Sequence, residues 1–281
     1  MSEREPWRDY ERLLPDTHRL IRHVEEQTGR IVEIQPEPAI RSRGRAIYVV
    51  TDPDPDHHLI LYDPAERRFL DHLVAHELGH VREFAEAEPE DRVVPIMTSN
   101  RRARVTEQLL PELDLMLRRG FPPTAVREVL PIWLSGTVAQ LADTPSDCWI
   151  ERRIAREYPG LRANQSASLR EQAKTLHQVL DPRVAAVTPE SIWIASNAMN
   201  FCLVHVIAEL VDEPALLARY RDTRIRALGQ ELLEVVEETG DQGLAGDRTV
   251  SNRWAARLGV VDWFEWRRLD QLPRGSRHAW E

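Results

Sequence analysis

Cysteine, glycine and lysine are all scarce in this 281-residue sequence, and each shortage narrows what the chain can be. Its two cysteines, Cys148 and Cys202, lack any CxxC or zinc-ribbon spacing, so neither a disulfide framework nor a cysteine metal site is indicated and a reducing cytoplasm is the expected compartment. With only 12 glycines, helix should dominate. Lys174 is the only lysine among 37 basic residues, a bias toward arginine that reads as genomic G+C content in a bacterium or similar microbe. The 46 acidic residues outnumber the basic ones and leave a net charge of −9, which gives no global electrostatic reason to bind nucleic acid or an anionic bilayer. The longest uncharged run, residues 191–208, contains Ser191, Ser196, Asn197, Asn200 and His205. Such groups are costly in hydrocarbon, so the run predicts a core helix and no membrane span. The first ten residues lack an apolar segment, so no secretory signal is expected.

What is present is the composition of a globular protein, 42% hydrophobic and 30% charged. Leu13, Thr17, Leu20, Ile21 and Val24 recur at helical spacing within Trp7–Thr28, and Gly29 supplies a stop. Three β-like runs follow, Arg30–Ile34, Ala46–Val50 and Leu59–Tyr62, separated by proline and glycine turns, which predicts a small three-stranded sheet. From Ala65 the pattern is helical almost to the end, with breaks expected at prolines that include Pro111 and Pro145. The glycines of Glu238–Asp247 mark a candidate hinge; beyond it lie Trp254, Trp263, Trp266 and Trp280, a composition that predicts docking on the body or on a partner. The expected organisation is 1–90 with the sheet and the motif described next, 91–240 helical, and 241–281 a hinge with a tryptophan-rich end.

The residues that carry chemistry are His76-Glu77-Leu78-Gly79-His80. On a helix, positions four apart differ by about 40° and about 6 Å of rise, so both imidazoles project from one face and can share a tetrahedral ion. Glu77 stands beside that face, where a carboxylate can take the proton of an attacking water. Leu70, Leu73, Val74, Val81 and Phe84 give the same segment an apolar stripe. Gly79, unfavourable in a helix interior by about 1 kcal/mol, makes sense where another backbone or a substrate approaches closely.

With these residues, the order helix, three short strands, His-Glu-x-x-His helix resembles the zincin metallopeptidases, in particular the compact cytoplasmic ImmA/IrrE type, over about Trp7–Glu86. The resemblance implies Zn²⁺ held by His76 and His80, with Glu77 as general base. Glu83 and Glu86 stand where a metzincin would have a glycine and a further histidine, so that branch is disfavoured. A glutamate on a later helix is the gluzincin solution for a third ligand, and Glu151 in Ser146–Ile154 is the choice made here. Asp147, four residues earlier on the same helical face, is an alternative ligand or a partner that orients a ligating histidine. Glu107 is the third candidate, and Ser146 reads as the N-cap of the helix bearing Glu151.

Other candidates have plainer readings. His205 and Glu209 look like a buried pair on an apolar helix; His72, one turn before His76, reads as lining the cleft or backing the ligands; His57-His58 reads as a loop pair. Tyr48 and Tyr62 lie in strands leading to the motif and could contact a substrate added along the sheet edge. The clusters Arg41–Arg45 and Arg101–Arg104 read as solvated surface, and Arg253–Val260 resembles the first part of a helix-turn-helix without a recognition helix, so DNA binding is disfavoured. The expectation is thus an α+β fold with a zincin-like core followed by a large all-helical portion. The expected function is a cytoplasmic zinc metallopeptidase acting on a protein or peptide substrate that could be regulatory, with no membrane partner. The alternative is a catalytically inactive zincin-like interaction or sensor module. Oligomeric state is left open.

Overall fold

A computed structural model describes residues 10–38, 44–47, 57–268 and 271, and among them the chain is mostly helical with two small sheets, an α+β architecture with a large helical part. It divides into two compact units, 1–87 with 149–170 and 88–148 with 171–281. This division differs from the three parts expected from sequence: one boundary falls in the turn after 87, near the expected one, and the other two fall inside helices, at 148/149 and 170/171.

The first unit opens with helix α1 (Pro15–Thr28), which buries Thr17, Leu20, Ile21 and Val24. Leu14 at its N-cap has no side chain able to accept a hydrogen bond, and the acceptor comes from elsewhere: Asp71 Oδ1 takes the Leu14 N–H and the Thr17 hydroxyl, each at 2.6 Å. Strands β1 (Ile31–Pro36), β2 (Gly44–Ile47) and β3 (His57–Tyr62) form the three-stranded sheet, with β3 central, parallel to β1 and antiparallel to β2. Alternation along β3 turns His58, Ile60 and Tyr62 inward. The pair His57-His58 therefore lies in a strand and not in a loop, and Tyr62 belongs to the core. Tyr48 and Arg41–Arg43 lie outside the described residues.

Helix α2 (Leu70–Glu86) carries the His-Glu-x-x-His motif. Its buried Val74, Leu78 and Val81 pack with β1, β3 and α1, and with Ile150 and Ile154 from the last turns of helix α4 (Pro123–Glu157). Each such aliphatic side chain contributes about 1.5–3 kcal/mol on burial. The unit is completed by the first turns of helix α5 (Arg162–Gln178), where Asn164 accepts the His72 backbone N–H and donates to the Arg68 carbonyl, both at 2.9 Å.

The second unit contains β4 (Val93–Ile96), α3 (Ser99–Arg118), α6 (Pro182–Ala186), α7 (Glu190–Val211), α8 (Thr223–Thr239), α9 (Gly243–Leu258) and β5 (Glu265–Arg268), with the remainders of α4 and α5. Helix α7 is long and apolar enough to cross a bilayer, but 72% of its apolar window is buried within the chain, as a core helix requires.

Three local expectations are corrected. Helices α3 and α4 run through Pro111 and Pro145 without ending. Pro145 has no N–H for the Leu141 carbonyl four residues back, and the Ser251 hydroxyl donates to that carbonyl instead, at 3.0 Å. Ser146 therefore lies inside a helix and is no N-cap; its hydroxyl bonds the Asp143 carbonyl at 2.9 Å. The hinge expected at Glu238–Asp247 is a tight helix connection, in which Gly240 (φ 71°) ends α8 and Gly243 (φ 59°) opens α9, both at positive φ. Glu238 and Arg253 pair across it.

The tryptophan-rich end docks as expected. Trp254 is fully buried with its indole N–H on the Leu232 carbonyl at 2.8 Å, Trp263 is buried, and Trp266 donates to Asn252 Oδ1 at 2.8 Å. Strand β5 pairs antiparallel with β4. Trp280 lies outside the described residues. No second helix follows α9 among the described residues, so Arg253–Val260 does not open a helix-turn-helix.

Candidate metal centre

The site is built on one face of α2, where His72, His76 and His80 recur every fourth residue. The His76 and His80 rings stand edge to face with centroids 4.9 Å apart, and their Nε2 atoms lie 3.3 Å from each other. That separation is longer than an ordinary N–H hydrogen bond. It matches the edge of a tetrahedral zinc site, where two nitrogens each about 2.0–2.1 Å from the ion stand about 3.3 Å apart. His76 keeps 17% of its side chain exposed, and Glu77 and His80 are half-buried, so this face is reached by solvent.

Gly79 makes this face possible. A Cβ there would lie 2.5 Å from Ile150 Cγ2, so only glycine lets α4 approach α2 closely enough to bring in the residue after Ile150. That residue is Glu151, 1% exposed. Its Oε1 accepts from His76 Nδ1 at 2.8 Å, both carboxylate oxygens lie 2.9 Å from His72 Nε2, and Gln165 on α5 donates to Oε2 at 2.7 Å and to the Glu151 carbonyl at 2.8 Å. Burial opposes ionisation of Glu151. The charge and hydrogen bond of His72, with the hydrogen bond of His76, overcome it and hold the carboxyl well below the usual carboxylate range.

Two donor sets therefore share His76. His72 Nε2, His76 Nδ1 and Glu151 form one group compact enough to surround an ion. Their 2.8–2.9 Å spacings are hydrogen-bond distances, shorter than a zinc site's ligand edges. The other set, through His76 Nε2 and His80 Nε2, has the metal-like spacing. The carboxylate chosen from sequence as a ligand thus meets His76 from behind, at the nitrogen that points away from His80. Asp147, half-buried, stands one turn before Glu151 on the same continuous helix. Glu107 is exposed on α3 in the second unit. The positions where a metzincin continues its motif are engaged elsewhere, Glu83 with Arg153 at 3.2 Å and Glu86 with Arg82 at 2.7 Å.

Comparison with protein-family models, curated proteins and solved structures gives no match. Of the contributors, Asn164 and Gln165 escaped sequence reading, since a polar pair at the start of a polar helix carries no spacing that marks it. His72 was marked by its place one turn before the motif.

Among the other histidines, His58 is buried with Nε2 2.9 Å from the Thr28 hydroxyl, and burial, aided by Arg30, pushes its pKa from 6.5 down to about 4. His205 Nδ1 lies 3.5 Å from Glu209 Oε1, a loose pair on α7.

Proposed function

We propose that the chain is a zinc-dependent hydrolase of peptide bonds, built on a zincin-like core and acting on a protein or peptide substrate in the cytoplasm. The observation that carries this reading is the 3.3 Å spacing of His76 Nε2 and His80 Nε2, with Glu77, the residue after His76, half-buried beside that face.

In this reading His76 and His80 hold the metal through Nε2. Asp147 is our candidate for the third protein ligand, because the oxygens of Glu151 are already engaged and α4 offers Asp147 one turn away. A bound zinc ion supplies Lewis-acid activation of water and of the scissile carbonyl. Glu77 takes the proton of the attacking water and returns it to the leaving amine, a role that contributes about 10²–10⁴-fold when the base is correctly placed. Glu151 keeps the His76 ring from rotating out of position.

Elemental mass spectrometry of the purified protein tests the reading together with turnover of peptide libraries. The expected result is about one zinc per chain, lost in His76→Ala. In Glu77→Gln zinc is retained and hydrolysis lost. Wild-type protein that takes up no zinc after reconstitution overturns the proposal. Metal bound with no hydrolysis of any peptide leaves the interaction module as the better account.

A further inference from the structure

Three histidines share one face of α2, yet only two are spaced for an ion. His72 and His76 have ring centroids 6.2 Å apart, against 4.9 Å for His76 and His80, and the rings diverge because His72 turns to Glu151. Its Nε2 lies 2.9 Å from both carboxylate oxygens, so a single donor bridges the carboxylate. An ionised carboxylate only accepts hydrogen bonds. With His72 and Gln165 fixing its two oxygens, Glu151 can meet His76 only as the acceptor of the Nδ1 proton. The neutral His76 ring then carries its lone pair on Nε2, the nitrogen that faces His80.

We propose that His72 is a positioning residue, which locks Glu151 in place and thereby selects the tautomer of His76 that can bind a metal through Nε2. The metal half of this statement rests on the hydrolase reading; the tautomer half does not.

Two observations support this role for His72. Its backbone N–H is fixed by Asn164, the neighbour of Gln165, so adjacent residues of α5 hold the main chain of His72 and the side chain of Glu151. Its Nδ1 is buried without a hydrogen-bond partner. Buried polar atoms left unsatisfied are uncommon in folded proteins, and one beside a candidate site calls for a functional reason. Here it follows from Nε2 being committed to Glu151.

The test uses the full chain with ¹⁵N-labelled histidine. Long-range imidazole spectra of the metal-free protein report which nitrogen of His76 carries the proton, and chelator competition with zinc reports affinity. In the wild type the His76 proton should reside on Nδ1. In His72→Leu, which removes the donor, the two tautomers should mix and zinc affinity should fall about 10–100-fold. In His72→Gln, which restores a donor, the Nδ1–H form and most of the affinity should return.

A wild-type His76 protonated on Nε2 overturns the proposal, as does a His72→Leu protein unchanged in both readouts. Equal losses in the leucine and glutamine variants also overturn it, because they reduce His72 to packing. If His72→Leu does not fold, the wild-type tautomer and Gln165→Leu, which removes the donor to Oε2, decide the matter in the same way. Wild-type protein that binds no zinc sinks the hydrolase, while the metal-free spectra still judge His72.

Discussion

His76 on α2 and His205 on α7 each meet a glutamate, at 2.8 Å in one case and 3.5 Å in the other. In α7 the partner, Glu209, is supplied by the same helix one turn on, is 51% exposed, and leaves a quarter of the His205 side chain in contact with solvent. In α2 the partner comes from another helix, is 1% exposed, and is held by two further donors. The same residue types thus give a loose, solvated pair in one place and a fixed acceptor in the other. Sequence spacing brings a histidine and a carboxylate together. Burial and additional donors give the pair a direction, because a carboxylate whose oxygens are all engaged cannot turn to follow its partner.

The sharpest way to break this contrast is to remove each carboxylate. Glu151→Ala leaves His72, His76 and Gln165 without their shared acceptor in a dry environment. Breaking a buried charged network in this way costs about 3–5 kcal/mol. Urea unfolding should show that loss, and a variant as stable as wild type would mean that Glu151 is not the centre of the network. The milder Glu151→Gln separates orientation from ligation. If Glu151 acts on His76 from behind, zinc should still bind, about 10–100-fold more weakly. Complete loss of metal from a folded Glu151→Gln would restore Glu151 as a direct ligand.

Next in size is the approach of the two helices. Gly79→Ala places a methyl group 2.5 Å from Ile150 Cγ2 if nothing moves. Overpacking of this kind costs about 1–3 kcal/mol. The alanine gains helix propensity by about 1 kcal/mol, so the net loss lies below that range's upper end. Ile150→Ala removes the Cγ2 methyl that the new Cβ would meet, so in the double variant the overpacking cost of Gly79→Ala should disappear. The two changes are expected to be non-additive because the residues touch. Additive losses in denaturant titrations would refute a contact at this crossing.

How far these features could be read in the sequence depends on how local their causes are. The spacing of His76 and His80 is a property of any helix, so their shared face was legible. The three strands were legible from alternation and their flanking turns. The placement of Glu151 against His76 Nδ1 was not, because it depends on how α2 and α4 cross at Gly79 and Ile150. Pro145 misled for a similar reason: its local rule ends a helix, but Ser251, far along the chain, satisfies the carbonyl that the proline leaves bare. The glycines around Gly240 are correct as punctuation; only the packing of Trp254 shows that they serve a tight connection and not a hinge.

A third histidine, this one buried, sharpens the contrast from the opposite side. His58 has a hydroxyl partner, and burial with nearby Arg30 lowers its pKa to about 4 from 6.5. Its folded value lies below its unfolded one, so the unfolded chain binds the proton first as pH falls. Stability is then fully present above about pH 6.5 and is lost as pH drops toward 4. Between pH 7 and pH 5 the loss should be about 1–2 kcal/mol. His177, also lowered by burial, acts in the same direction, so the measurement is the difference between wild type and His58→Gln. The depressed carboxyl of Glu151 has its window lower, below about pH 4.5, and does not interfere. If the two proteins lose equal stability between pH 7 and pH 5, the neutral buried state of His58 is refuted.

The smallest effect belongs to the pair that began the comparison. Glu209→Gln on α7 removes a charge that is half in water and 3.5 Å from its histidine. Exposed pairs four apart on a helix contribute about 0.3–0.5 kcal/mol, and salt screens them. Glu209→Gln should therefore change the unfolding free energy by no more than about 0.5 kcal/mol, and the difference should shrink further in 1 M salt. A loss of several kcal/mol would place His205 and Glu209 in the same class as His76 and Glu151, and burial would no longer be what separates the two pairs. A null result completes the contrast, because the same two residue types would then have almost no energetic consequence where solvent reaches them and nothing else holds the carboxylate.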